Sequence, residues 1–238
     1  MAHLLAAEGS LLARFFLHFE RNGKNYLVMN NWMPPPRYEK AEGADLGFDI
    51  RENFSTYDLK GCADDKTLKV HGKDVPAVHK RIFNPKMWLG TVFWSKEREH
   101  YHEGKLHAAE TVFPVSVNAH AEIVRRTTRD VTFLQDAGLM DYSLVVSFHA
   151  MPRNKLDVAE AVYRGTSDGG AQPYICTKRQ QVFICYVGII DFLQDWTAGK
   201  VVASCVKVLE CNKATIPPRP YGDRFVQFVE HKFTAECE

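Results

Sequence analysis

The sequence lacks an excess of charge of either sign: thirty basic residues stand against twenty-nine acidic ones, for a net charge of +1. That excludes a chain-wide field drawing it to nucleic acid or anionic lipid, so any membrane attraction has to be local. Its six cysteines, at positions 62, 176, 185, 205, 211 and 237, show no paired metal-ligand spacing. Long apolar runs at the N-terminus are also missing, since the short apolar patch there is interrupted by Glu8. A reduced, cytosolic setting without signal peptide or transmembrane span is therefore expected.

What is present suffices for a core. With 238 residues and 45% apolar content, the chain can bury on the order of 70% of its unfolded surface. One domain or two tightly joined lobes is the expectation.

Two stretches organise the rest. In residues 138 to 149, GLMDYSLVVSFH, Asp141 precedes an alternating run in which Leu144, Val146 and Phe148 share a face, the pattern of a half-buried strand. In residues 180 to 196 the near-continuous apolar run from Val182 to Ile190 stops at Asp191, as a strand buried on both faces would. An ionised carboxylate at the end of an apolar strand needs a cation or N–H donors nearby, which suggests a metal or phosphate site. Each acid serving only as a cap for the following turn is the alternative.

Elsewhere, residues 14 to 20 and 25 to 31 flank Asn22-Gly23, the dipeptide of a tight hairpin turn. Pro34, Pro35 and Pro36 open a loop to about residue 53. FSTYDLKG (54 to 61) is a further strand signal, ending where Gly61 allows close backbone approach to a ligand. Residues 64 to 117 give little periodicity and are expected as an irregular insertion anchored by Trp88 and Trp94, with His100 and His102 in a solvated loop. A helix is expected from Asn118, its buried face carrying Ile123, Val124, Thr127, Val131 and Leu134, its other face Arg125, Arg126 and Arg129. Asn118 is the candidate cap at its start and Gly138 at its end. Residues 152 to 180 suggest a connection between the two acid-bearing strands. The stretch with Tyr221, Phe225, Phe228, Val229 and Phe233 suggests a last helix on the core.

In order, YDLKG (57 to 61), LMDYSLVVSFH (139 to 149), YVGIIDFLQDW (186 to 196) and YGDRFVQF (221 to 228) resemble the phosphatidylinositol phosphate kinase family over roughly residues 11 to 233. The resemblance implies an α+β, two-lobed lipid-kinase-like fold with antiparallel sheets, packed helices and an incomplete N-terminal lobe. Residues 1–61 would be the remainder of that lobe with the hinge, and 62–238 the C-terminal lobe with the catalytic and activation-loop segments. It implies an ATP- and Mg²⁺-dependent kinase of a singly phosphorylated phosphatidylinositol, with phosphatidylinositol 4-phosphate at its 5-hydroxyl as the first choice. Asp141 would orient the attacking hydroxyl, Asp191 would hold Mg²⁺, and Lys60 would stabilise phosphate charge. Met29, Asn30 and Asn31 would form the hinge against adenine. Lys200, Ala203 and Lys207 would face substrate and membrane, in an activation loop resting on the lipid surface. The implied partner is a phosphoinositide at a membrane surface, reached by a cytoplasmic protein that binds the membrane peripherally, and not nucleic acid.

The chain departs from the family pattern in two ways. The Ser-Thr that usually follows Lys-Gly is Cys62-Ala63 here. The family's glycine-rich loop and its ATP lysine belong upstream of the hairpin, yet residues 1 to 13 contain no lysine. Either the chain is part of a longer kinase or it is an inactive relative that acts as a nucleotide- and phosphoinositide-binding module. Without those parts no measurable turnover is expected, unless another lysine replaces the absent one.

Overall fold

The computed structural model describes residues 9–32, 53–78, 94–157, 159–160, 173–197 and 215–237. The Asn22-Gly23 turn closes strands β1 (Phe15–Arg21) and β2 (Lys24–Met29) into a two-stranded antiparallel sheet. Both turn residues take the positive φ that such a tight turn requires, 55° and 70°.

A six-stranded antiparallel sheet forms the centre, in the order β5-β4-β3-β7-β9-β8. Its strands are β3 (Ser55–Leu59), β4 (Lys66–Val70), β5 (Lys73–Asp74), β7 (Ser143–Pro152), β8 (Tyr174–Lys178) and β9 (Gln181–Ile190). Tyr57, Leu59, Leu144, Val146, Cys185, Val187 and Ile189 line one face. Helices α2 (Val117–Asp136) and α3 (Pro218–Lys232) cover that face with Ile123, Val131, Leu134, Tyr221, Phe225 and Val229. Each such side chain contributes roughly 1.5–3 kcal/mol when fully buried. A separate parallel pair joins β6 (Phe113–Ser116) to β10 (Phe233–Cys237). The α+β class with antiparallel sheets and packed helices is thus what the described residues form.

Several local expectations are corrected. The segment from 64 to 117 is not an irregular insertion where it is described: it holds β4, β5, β6 and the fifteen-residue helix α1 (Lys96–Glu110). The helix hides from a periodicity search because its buried positions, Arg98, Tyr101, Gly104 and Ala108, have helical spacing but little apolar character. Gly104 brings the helix close to the sheet, and its carbonyl accepts the Thr67 hydroxyl at 2.7 Å. His100 and His102 lie in α1, not in a loop; His102 packs edge-on against Trp94. Trp88 falls outside the described residues.

Helix α2 is capped by Ser116, whose Oγ accepts the Ala119 N–H at 3.2 Å, so Asn118 is the second residue of the helix and not its cap. Its far end does close on Gly138 (φ 73°), with Leu139 N–H bonded to Leu134 O and Gly138 N–H to Gln135 O, a Schellman arrangement. Val124 is only half-buried, and Asp130 takes a place on the buried face. Strand β7 is central, so Val145 is buried as well as Leu144 and Val146, and its start is not half-exposed. The expected connection from 152 to 180 contains β8.

Among the described residues no helix is long and apolar enough to cross a membrane. Cys62, Cys176 and Cys185 are buried and are not disulfide-bonded; the Cys176 thiol donates to the Pro114 carbonyl at 3.3 Å.

Candidate active site

The register of the central sheet brings three sequence-distant positions to one end of it. Leu59 pairs with Leu144 and Ser143 pairs with Ile190, so Lys60 after β3, Asp141 before β7 and Asp191 after β9 leave the sheet on the same side. Pairing resumes at the Leu139–Asp195 bridge, with Met140 N–H on Gln194 O at 3.1 Å. Residues 141 to 142 and 191 to 193 therefore lie outside the ladder between two paired stretches. Asp141 (φ 66°) and Asp191 (φ 60°) both take left-handed backbone there. That conformation costs a non-glycine residue of order 1–3 kcal/mol and persists where surrounding structure dictates it. Here the dictating contacts are visible: Tyr221 donates its hydroxyl to the Tyr142 carbonyl, and buried Phe192 packs against Phe15.

Lys60 Nζ donates to Asp141 Oδ1 at 2.6 Å and to the Asp141 carbonyl at 2.7 Å. The turn that presents this lysine is built around Asp65, a residue the sequence reading passed over. Buried Asp65 accepts the Lys60 N–H at 2.5 Å and the Cys62 N–H at 3.4 Å. Its burial pushes the carboxyl pKa above the ordinary value, while the N–H donors pull it back. Gly61 has φ 67°, and a methyl group there would come within 2.8 Å of Phe228 Cγ. The C-terminal helix thus packs directly on the Lys60 turn.

The sheet face away from the helices is unusually polar at this end. Thr56, Asp58, Ser143, Val145 and Ser147 share it, and Trp32 lies over Gly188, where any side chain would overlap the indole. Three buried polar atoms in this region have no hydrogen-bond partner: Asp58 Oδ1, Ser143 Oγ and Trp32 Nε1. Lys66 Nζ bonds the other Asp58 oxygen at 2.8 Å. Burial alone would lower the Lys66 pKa, but the Asp58 bond and the charges of Asp58, Tyr101 and Asp191 together raise it. Neither Asp58 nor Lys66 was singled out from sequence; alternation along YDLKG, which puts Asp58 opposite Tyr57 and Leu59, is the signal that marks the first.

The hinge candidates behave unequally. Met29 ends β2 and is exposed. The Asn30 N–H is committed to Arg14 O at 3.0 Å, and Asn30 Oδ1 accepts the Arg14 N–H at 2.6 Å. Asn31 follows, engaged in an interaction of its own. Lys200, Ala203 and Lys207 lie outside the described residues. The exposed Asp191 carboxylate offers the hard oxygen that Mg²⁺ prefers. Among the described residues no three His, Cys, Asp or Glu side chains group as a complete metal cage. Mg²⁺ in phosphoryl-transfer sites is commonly held by one or two carboxylates plus substrate phosphates, and Asp191 fits that use.

The sequence matches the phosphatidylinositol-4-phosphate 5-kinase family over residues 1–169 and 157–232. The chain belongs to that family. No curated protein compared with it matches.

Proposed function

We propose that the chain transfers the γ-phosphate of ATP to a singly phosphorylated phosphatidylinositol, with phosphatidylinositol 4-phosphate at its 5-hydroxyl as the leading substrate. The observation that carries this reading is the convergence of Lys60, Asp141 and Asp191 on one end of the sheet. Family membership supports the lipid kinase class.

Phosphoryl transfer asks mainly for positioning and charge placement. A bound Mg²⁺ would neutralise phosphate charge, with Asp191 as its protein ligand. Asp141 takes the role of accepting a hydrogen bond from the attacking hydroxyl and drawing off its proton. Two of the three N–H donors of Lys60 go to Asp141, which leaves one for a phosphate oxygen. The lysine thereby ties the position of the acid to that of the transferred group. Residues 1–61 act in this reading as part of an N-terminal lobe with the hinge, and 62–238 as the C-terminal lobe. Lys200, Ala203 and Lys207 face the lipid surface, where apolar neighbours such as Val202 and Leu209 supply more insertion energy than the lysines supply attraction.

The second reading is a nucleotide- and phosphoinositide-binding module without turnover. It is favoured by Cys62-Ala63, which leaves the Lys60 turn without the hydroxyls that usually follow Lys-Gly. Calorimetric titration of MgATP tests the role assignment. Asp191→Asn is expected to weaken Mg²⁺-dependent binding by about tenfold, the effect of losing one charge-assisted contact. Asp141→Asn should bind MgATP nearly as the parent protein does. Equal affinity of Asp191→Asn and parent would remove Asp191 from the metal site.

A further inference from the structure

The geometry points to Lys66 as a second phosphate-facing cation of this site, held in place by Asp58 and acting beside Asp191. This inference rests on the kinase reading above and adds a nucleotide-binding residue to it.

The argument starts from register. Asp58 of β3 pairs with Lys66 of β4 at the last rungs before the Lys60 turn, so both side chains stand at the site's end of the sheet. Their ion pair is 2.8 Å long and lopsided: the Asp58 side chain is 9% exposed and that of Lys66 27%. The acid is an anchor inside the sheet and the ammonium is its accessible end. The field of Asp191 reaches the same ammonium and helps keep it charged. A cation bonded to a buried acid and within the field of a metal-binding acid is where the polyphosphate of a nucleotide held at Asp191 needs compensation.

A plain cross-strand ion pair is the alternative, and one observation counts against it. Buried polar groups in native proteins nearly always find partners. Asp58 Oδ1 nevertheless has none, and Ser143 Oγ, on the same face and one diagonal away across β3 and β7, has none either. A pair built only for stability would not leave a charged oxygen buried and unmet at the mouth of the site. A hydroxyl of a bound substrate would supply the missing donor.

The test uses the full 238-residue chain and MgATP as probe. Lys66→Met should bind MgATP about tenfold more weakly, and Lys66→Arg, which keeps charge and donors, should recover most of that loss. Lys69→Met, two rungs further along β4 and paired with Asp74, should bind as the parent does. A labelling measurement needs no variant: an amine-reactive reagent should modify Lys66 in the free protein, and saturating MgATP should protect Lys66 but not Lys69. If the parent binds MgATP while Lys66→Met binds equally well, or while Lys66 labelling is unchanged, Lys66 is only structural and the kinase reading survives. If the parent binds no MgATP, the nucleotide reading fails and this inference falls with it.

Discussion

The ammonium of Lys60 holds Asp141 twice, at its carboxylate (2.6 Å) and at its own backbone carbonyl (2.7 Å). The second bond matters because Asp141 sits at φ 66°, a conformation its neighbours must sustain. Lys60→Met removes both bonds and the donor left for phosphate. Loss of one preorganised donor costs on the order of 100-fold in turnover, so at least that fall is expected. Lys60→Arg should recover little of it, since a planar guanidinium does not reproduce the two converging bonds of an ammonium. Steady-state assays of the two variants check this, and full activity of Lys60→Met would detach Lys60 from the site.

Gly61 meets two demands at once. Any side chain there suffers the left-handed penalty of roughly 1–2 kcal/mol and also pushes against Phe228, whose Cγ lies 2.8 Å from the position of a Cβ. Gly61→Ala is therefore expected to lower stability by more than the backbone term alone. Adding Phe228→Ala should relieve the ring's share of the clash but neither the contact with the Phe228 Cβ, at 2.9 Å, nor the backbone part. Denaturant unfolding of the single and double variants separates the two.

His149, on β7 beside the Phe54 ring, gives a pH signature. Burial pushes its pKa below the ordinary 6.5, assisted by nearby His71 and opposed by a backbone bond at Asn53. The folded state thus binds the proton less readily than the unfolded chain. Stability from this group is fully present above pH 6.5 and is lost as pH falls through the lowered value. Melting curves of parent and His149→Gln should diverge least under acid conditions and most near neutrality. A constant difference across pH 5 to 8 would rule this histidine out as the source.

How much of this could be read from sequence differs by element. The hairpin, the apolar β9 run and the end of α2 were legible because each rests on a local rule: an Asn-Gly turn, a run buried on both faces, a glycine after the last turn. Helix α1 was not, since Arg98 and Tyr101 bury their stems and rings instead of marking an apolar stripe. Arg98 lies over the Trp94 ring, 4.8 Å from its centroid, and such contacts leave no period in a hydropathy pattern. Asp141 and Asp191 stood out as acids at the ends of apolar runs, but their grouping with Lys60 was legible only through motifs matching a family, because the sheet register that gathers them is a long-range property. Asp58, Asp65 and Lys66 went unnoticed for the same reason. Asp130 did too: its carboxylate holds the Leu11 N–H at 2.7 Å, a contact across 119 positions that no window reveals.

The most direct measurement is transfer of labelled γ-phosphate from MgATP to vesicles containing phosphatidylinositol 4-phosphate by the 238-residue chain. With Lys66 as a further phosphate-facing cation beside Lys60, the parent protein should form the bisphosphate. Asp141→Asn should lose on the order of 100-fold or more in rate while its MgATP affinity stays nearly unchanged. A parent protein that binds MgATP tightly yet transfers no phosphate, or an Asp141→Asn variant as active as the parent, would contradict the account.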